Sequence, residues 1–144
     1  MYVVDASVWV SRYVRSDEHH APSYDWLARM GRQGILLTSP LLLLPEVSGA
    51  VTRRTGDAFL ARRCIRQLES LPFTRLFALT PERAHRAAVV AADARLTGAD
   101  ATYVALADQL AMALVSWDRQ QRERAPSTIS VSTPADLLLA QVPP

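Results

Sequence analysis

At 144 residues, 49% apolar and 21% charged, the chain is expected to fold as one domain over 1–144 with a core of its own, which excludes an intrinsically disordered protein. No apolar run reaches the roughly 20 residues of a membrane span, no basic segment precedes the N-terminal apolar run as a secretory signal requires, and the single cysteine, Cys64, allows no intrachain disulfide, so a cytoplasmic location without a membrane partner is expected. The net charge of +2 is too small to establish a nucleic-acid partner, but all 16 basic residues are arginine, and a chain without lysine has no route to Schiff-base or P-loop lysine chemistry.

The opening "VVDASVWVSRYV" reads as a strand followed by a short helix. "SDEHHAPSYDWLARMGRQG" is a loop and then a helix, with Gly31 and Gly34 as stop signals. "ILLTSP" is a short strand, after which Ser39 is expected to cap a helix that carries Pro40 at its first position. That helix runs through "LLLLPEVSGAVTRRTG" and ends near Gly56, and Pro45 inside it is expected to kink it. "DAFLARRCIRQLESL" is amphipathic, with Phe59, Leu60, Cys64, Ile65 and Leu68 on one stripe.

"TRLFAL" is a strand or an extended connection. "TPERAHRAAVVAADARLTG" starts with Thr80 as N-cap, Pro81 at the first position and Glu82 in the first turn, and Gly98 punctuates its end. "ADATYVALADQLAM" is a further helix, "ALVSW" a strand, "DRQQRERA" a short helix, "TISV" a last strand and "TPADLLLAQV" a closing helix with a second Thr-Pro start. Strands alternating with helices indicate an α/β fold with a largely parallel sheet. Such sheets place their sites beyond the carboxyl ends of the strands.

Asp5 and Asp118 stand at that position, each directly after an apolar strand. Glu46 is set in the apolar helix "LLLLPEVSGAV" and Asp100 opens the helix "GADATYVALA". Asp100 and Asp118 each have a purely structural reading as helix-terminal charge or cap. A lone carboxylate on an apolar face is costly, which makes Asp5 and Glu46 harder to explain structurally. Two carboxylates about 4 Å apart repel by roughly 4 kcal/mol at an effective dielectric near 20. If the strand-end argument brings these acids together, either some are protonated or a cation lies among them. Oxygen donors without a His or Cys cluster favour Mg²⁺ or Mn²⁺.

The motifs "VVDASV", "LPEV", "GADATYVALA" and "LVSWD", in this order and down to the closing "VSTPADLL", resemble the PIN domain, and most of all VapC-type toxins of toxin–antitoxin pairs. The resemblance implies a three-layer α/β/α fold with a central, mostly parallel sheet of about five strands. It implies a Mg²⁺- or Mn²⁺-dependent endoribonuclease that cleaves RNA, forms a homodimer and is neutralised by a VapB-type antitoxin. Asp5, Glu46, Asp100 and Asp118 match the family's acidic quartet, and Ser7 and Ser116 match the small hydroxyl positions beside it. Two departures stand out: no glycine precedes "ALVSW", where Met112 and Ala113 occupy the turn, and Asp108 is an extra acid on the helix.

Either Asp100 or Asp118 would orient the attacking water, and Ser7 either hydrogen-bonds a ligand carboxylate or simply caps the first helix. Arg119 and Arg122, next to Asp118, are candidate phosphate contacts. Arg53, Arg54, Arg62, Arg63 and Arg124 could also contact phosphates, but each taken singly reads first as a solvated face. His19 and His20 read as a solvated loop, His85 as a surface residue, Cys64 as core, and Trp9 and Trp26 as packing; Trp117, beside Asp118, is the tryptophan with a possible role at the rim. Aspartate-nucleophile phosphatases require a second aspartate where Ser7 stands, and receiver-like domains require a lysine the chain lacks. The remaining alternative is a catalytically inactive PIN-like module that binds RNA or a partner without cutting.

Overall fold

The N-terminal apolar run becomes the middle strand of the molecule. In the computed structural model, which describes residues 1–140, β1 (Tyr2–Val4) is followed by α1 (Ala6–Tyr13), α2 (His20–Arg32), β2 (Leu37–Pro40), α3 (Leu43–Thr55), α4 (Ala58–Ser70) and β3 (Thr74–Phe77). The second half holds α5 (Pro81–Ala94), α6 (Gly98–Leu110), β4 (Ala113–Val115), α7 (Arg119–Arg124), β5 (Val131–Ser132) and α8 (Pro134–Leu139). Gln141 and Val142, assigned from sequence to the closing helix, lie outside the described residues. The strands are ordered β3-β2-β1-β4-β5 and every pairing is parallel. This is the expected α/β/α arrangement, with a sheet parallel throughout.

The strand order positions the site. From β1 the chain moves outward to β2 and β3, then returns to place β4 on the other flank of β1. The direction of winding therefore reverses between β1 and β4, and the region beyond their carboxyl ends is where such sheets place their sites. Val3, Val4, Leu37, Leu114 and Val115 are fully buried in the sheet. Residues 101–107 of α6 are all buried, and the helix packs on β1, β2 and β4. A helix enclosed on so many sides needs no polar stripe, which is why "ATYVALA" shows none.

Several terminations differ from expectation. Ser39 and Pro40 belong to β2, and Ser39 Oγ donates to the Val4 carbonyl at 2.6 Å instead of capping a helix. The helix begins later, at Leu43, without a side-chain cap. Pro45 thus falls in the first turn, where backbone N–H groups have no intrahelical partner, so the basis for a kink is gone. Gly56 ends α3 in the left-handed region (φ 72°) as expected. Gly31 lies inside α2, where a Cβ would meet the Phe73 ring at 2.8 Å, so its smallness serves packing.

Gly98 opens α6 rather than closing α5, which ends at Arg95 with φ 53°. The turn before β4 that lacks glycine is made by Ala111 at φ 49°. A left-handed alanine costs roughly 1–2 kcal/mol, so the fold accepts local strain to bring β4 beside β1. Phe59, expected on the inner stripe of α4, is 63% exposed, whereas Cys64 and Leu68 are buried.

Candidate active site

Asp5 follows β1 directly and caps α1. Its Oδ2 accepts from the Ser7 backbone N–H at 2.9 Å and from Ser116 Oγ at 3.2 Å, and its Oδ1 accepts from the Gln121 side chain at 3.0 Å. A helix N-terminus provides backbone donors, which is how a strand aimed at the core can end on a carboxylate. Asp5 is nonetheless only 5% exposed. Burial raises its pKa, opposed by the hydrogen bonds from Ser7 and Gln121 and reinforced by the charge of Asp100.

Asp100 lies in the first turn of α6. Its Oδ2 accepts from Thr97 Oγ1 at 2.6 Å, and its Oδ1 accepts from the same Gln121 nitrogen at 2.9 Å. Gln121 therefore bridges Asp5 and Asp100. Its own backbone N–H donates to Asp118 Oδ1 at 2.8 Å, the cap of α7. Glu46, in the first turn of α3, accepts from the Tyr103 hydroxyl at 2.6 Å. Burial raises the Glu46 pKa, and the charges of Asp5 and Asp100 raise it further against the Tyr103 hydrogen bond. Burial also raises the Tyr103 pKa, as do the carboxylates of Asp5 and Glu46, so its hydroxyl stays a donor.

Asp5, Glu46 and Asp100 are thus within electrostatic reach of one another. Asp118 joins them through Gln121 and through Ser116, whose hydroxyl touches Asp5 and accepts from the Asp118 N–H at 2.9 Å. The cap expected at Asp118 is present, at the start of α7. The acids do not close onto one point; among the described residues no three His, Cys, Asp or Glu side chains are gathered closely enough to hold an ion. Asp108 is not part of this group: it pairs with Arg86 of α5 at 3.2 Å.

The chemistry of the donor set still suits a hard divalent cation. The partners of all four acids are neutral hydroxyl, amide or backbone groups, and among the described residues none forms an ion pair with arginine. The site also contains a buried acceptor without a donor, Gln121 Oε1.

The PIN domain family matches residues 2–125. The chain belongs to the PIN domain family. Comparison with curated proteins gives no match. Among solved structures, the PIN domain is similar to VapC20 of Mycobacterium tuberculosis, a sarcin-ricin loop cleaving toxin, with a TM-score of 0.74 and 18% identity over 90% of this chain and 98% of that one. It is similar to PAE2754 of Pyrobaculum aerophilum, with a TM-score of 0.69 and 22% identity over 96% and 94% of the two chains. It is also similar to a toxin–antitoxin complex from Klebsiella pneumoniae, with a TM-score of 0.68 and 14% identity over 93% and 98%.

Around the acids of this PIN domain, aromatic groups shape one wall. The Trp117 backbone N–H donates to Ser7 Oγ at 3.0 Å, and its indole N–H donates to Ser23 Oγ at 2.8 Å. Ser7 is not the cap of α1, a place Asp5 takes; it lies inside the helix, and its hydroxyl ties the segment after β4 to α1. His19 stacks on Trp117 with ring centroids 3.9 Å apart and planes 7° from parallel. The expected solvated histidine loop is instead folded over the rim, and His20 begins α2 with its Nδ1 2.9 Å from the Ser11 carbonyl. Arg119 and Arg122 are exposed on α7; Arg119 pairs with Glu123 at 3.1 Å. Arg54 is held by Asp17, and Arg124 donates to the Arg95 carbonyl at 2.7 Å.

Sequence reading missed Gln121, Tyr103 and Thr97. Gln121 follows Asp118 at the spacing of a capping box, and that spacing was the available signal. Tyr103 had none, since its partner Glu46 is 57 positions away.

Proposed function

We propose that this PIN domain is a Mg²⁺- or Mn²⁺-dependent endoribonuclease of the VapC type, a toxin whose activity a VapB-type antitoxin neutralises. The observation that carries the reading is the group Asp5, Glu46 and Asp100, each held by neutral donors at the winding reversal of the sheet. The similarity to VapC20 and to the Klebsiella complex supports an RNA substrate and an antitoxin partner.

Asp5, Glu46, Asp100 and Asp118 are the residues that would hold the ion. A bound divalent cation lowers the pKa of its water and polarises the scissile phosphate. Ser116 and the Ser7 backbone fix the orientation of Asp5, and Tyr103 fixes Glu46, so these acids face the crevice without rotamer search. Asp100 and Asp118 are the candidates for orienting the nucleophile, and Arg119 and Arg122 are offered to the phosphate backbone. Helix α4, which leaves Phe59 exposed, is the region proposed for contact with a second copy or an antitoxin segment.

The direct test is purified protein on total RNA with Mn²⁺ or with chelator, followed by end mapping. Fragments with defined ends in Mn²⁺ alone are expected, and full cleavage in excess chelator would falsify the metal mechanism. Sedimentation at tens of micromolar tests the homodimer; monomer alone at that concentration contradicts it. One observation favours a second reading, a PIN module that binds RNA or a partner without cutting: the acids do not close onto one point. A Mn²⁺ titration separates the two, because a ligand at about 100 times its dissociation constant stabilises the fold by roughly 2.7 kcal/mol.

A further inference from the structure

Gln121 is completely buried, and the contacts that hold its amide are made to the acids. One nitrogen donates to Asp5 Oδ1 and to Asp100 Oδ1, at 3.0 and 2.9 Å. The two hydrogens of an NH₂ group carry partial positive charge, so this end of the side chain faces two anions as a weak cation would. The other end, Oε1, is buried and has no donor. A buried acceptor without a partner gives up its hydration uncompensated, and native interiors rarely leave one so. The amide is thus fixed at its nitrogen and unanchored at its oxygen.

An ion ligated by the same two carboxylate oxygens would lie about 2.0–2.1 Å from each. That space is filled by the Gln121 nitrogen, and the two cannot share it. We propose that the Gln121 carboxamide is a placeholder for the divalent cation: it holds Asp5 and Asp100 side by side and swings aside when the ion takes them over. Gln121 is then a positioning residue that sets how readily the site accepts metal. The unanchored Oε1 fits this role, because no other hydrogen bond of the side chain has to break when the amide moves. The inference rests on the metal-dependent reading above.

The test is calorimetric titration of Mn²⁺ into the full chain and into Gln121→Met, with melting curves in chelator and in Mn²⁺. Methionine fills a similar volume and offers no donor. The variant is expected to melt lower than wild type in chelator and to bind Mn²⁺ more tightly by about 5- to 30-fold, the factor that relief from one or two competing hydrogen bonds yields. Gln121→Asn, too short to span both acids, is expected to shift affinity in the same direction and serves if the methionine variant does not fold. Wild-type binding of Mn²⁺ with unchanged or weaker affinity in the variants overturns the placeholder and leaves the nuclease reading standing. A wild type that binds no Mn²⁺ overturns both.

Discussion

Two sets of carboxylates in this molecule are treated in opposite ways. Outside the four crevice acids, Asp17 is paired with Arg54, Asp108 with Arg86 and Glu123 with Arg119. At the crevice, Asp5, Glu46, Asp100 and Asp118 are held by serine, threonine, tyrosine, glutamine and backbone N–H groups. The chain has 16 arginines to offer, so an arginine partner for the crevice acids was within its means. Neutral donors orient a carboxylate but leave its charge uncompensated, whereas an arginine cancels it. The Asp108–Arg86 and Glu123–Arg119 pairs are surface electrostatics worth little, and Asp17 keeps its side chain buried beside Arg54; the crevice acids keep a mutual repulsion that the proposed cation would relieve.

The largest effect expected from this contrast is on cleavage. Asp5→Asn and Glu46→Gln keep the shape of each side chain and remove one inner charge. Each is expected to lower RNA cleavage in Mn²⁺ by more than about 100-fold, the upper end of what losing a supporting partner costs at metal sites. Cleavage assays on both variants decide it; near-normal rates would place the inner acids outside the chemistry.

Tyr103→Phe follows in size. It removes the donor from the half-buried Glu46 without changing the volume much. A lost hydrogen bond to a charged group costs about 1.5–3 kcal/mol, and activity is expected to fall by about 10- to 100-fold as Glu46 loses its orientation. Denaturant unfolding and cleavage rates on one preparation measure both. A change in stability alone would make Tyr103 a packing residue.

The pH dependence of stability in chelator is a smaller effect with a definite sign. The folded-state pKa values of Asp5 and Glu46 are raised above the ordinary 3.8 and 4.5 by burial. Folding therefore favours their protonated forms, and the stability they contribute is full below those ordinary values. It is lost as pH rises from there through the raised folded values. On this account wild type in chelator is expected to lose stability as pH rises above those ordinary values, and Asp5→Asn or Glu46→Gln to flatten that slope. Equal slopes in all three would show that these two buried acids do not set the pH dependence.

The smallest effect belongs to the outer set. Asp108→Ala breaks the pair with Arg86, in which both side chains are roughly half exposed. It is expected to change stability by no more than about 1 kcal/mol and to leave cleavage unaltered. A loss of cleavage comparable to Asp5→Asn would erase the distinction between the two sets.

How far the primary structure could be read depended on range. Thr80 and Thr133 were legible as caps because the Thr-Pro pattern and its first-turn acid are local. Ser39-Pro40 carries similar local chemistry and was misread, since pairing with β1 and β3 draws both residues into the sheet. The αL alanine at 111 was illegible for the same reason: intrinsic preference disfavours it, and the demand that β4 lie beside β1 overrides the preference. His19 looked like loop, and its stacking on Trp117 joins two residues far apart in the chain.

From residue order alone came the α/β class, the parallel sheet, the family resemblance and the acids worth watching, because strand ends, caps and apolar periods are set by neighbours a few positions apart. The partnership of those acids was not available there. Asp5 and Gln121 are 116 positions apart, and Glu46 and Tyr103 are 57. Such pairs exist only once the sheet reverses its winding between β1 and β4 and α6 is buried against both. Hydrogen bonding at about 3 Å is a property of that packing, and a linear pattern of side chains carries no information about which donor will reach which carboxylate.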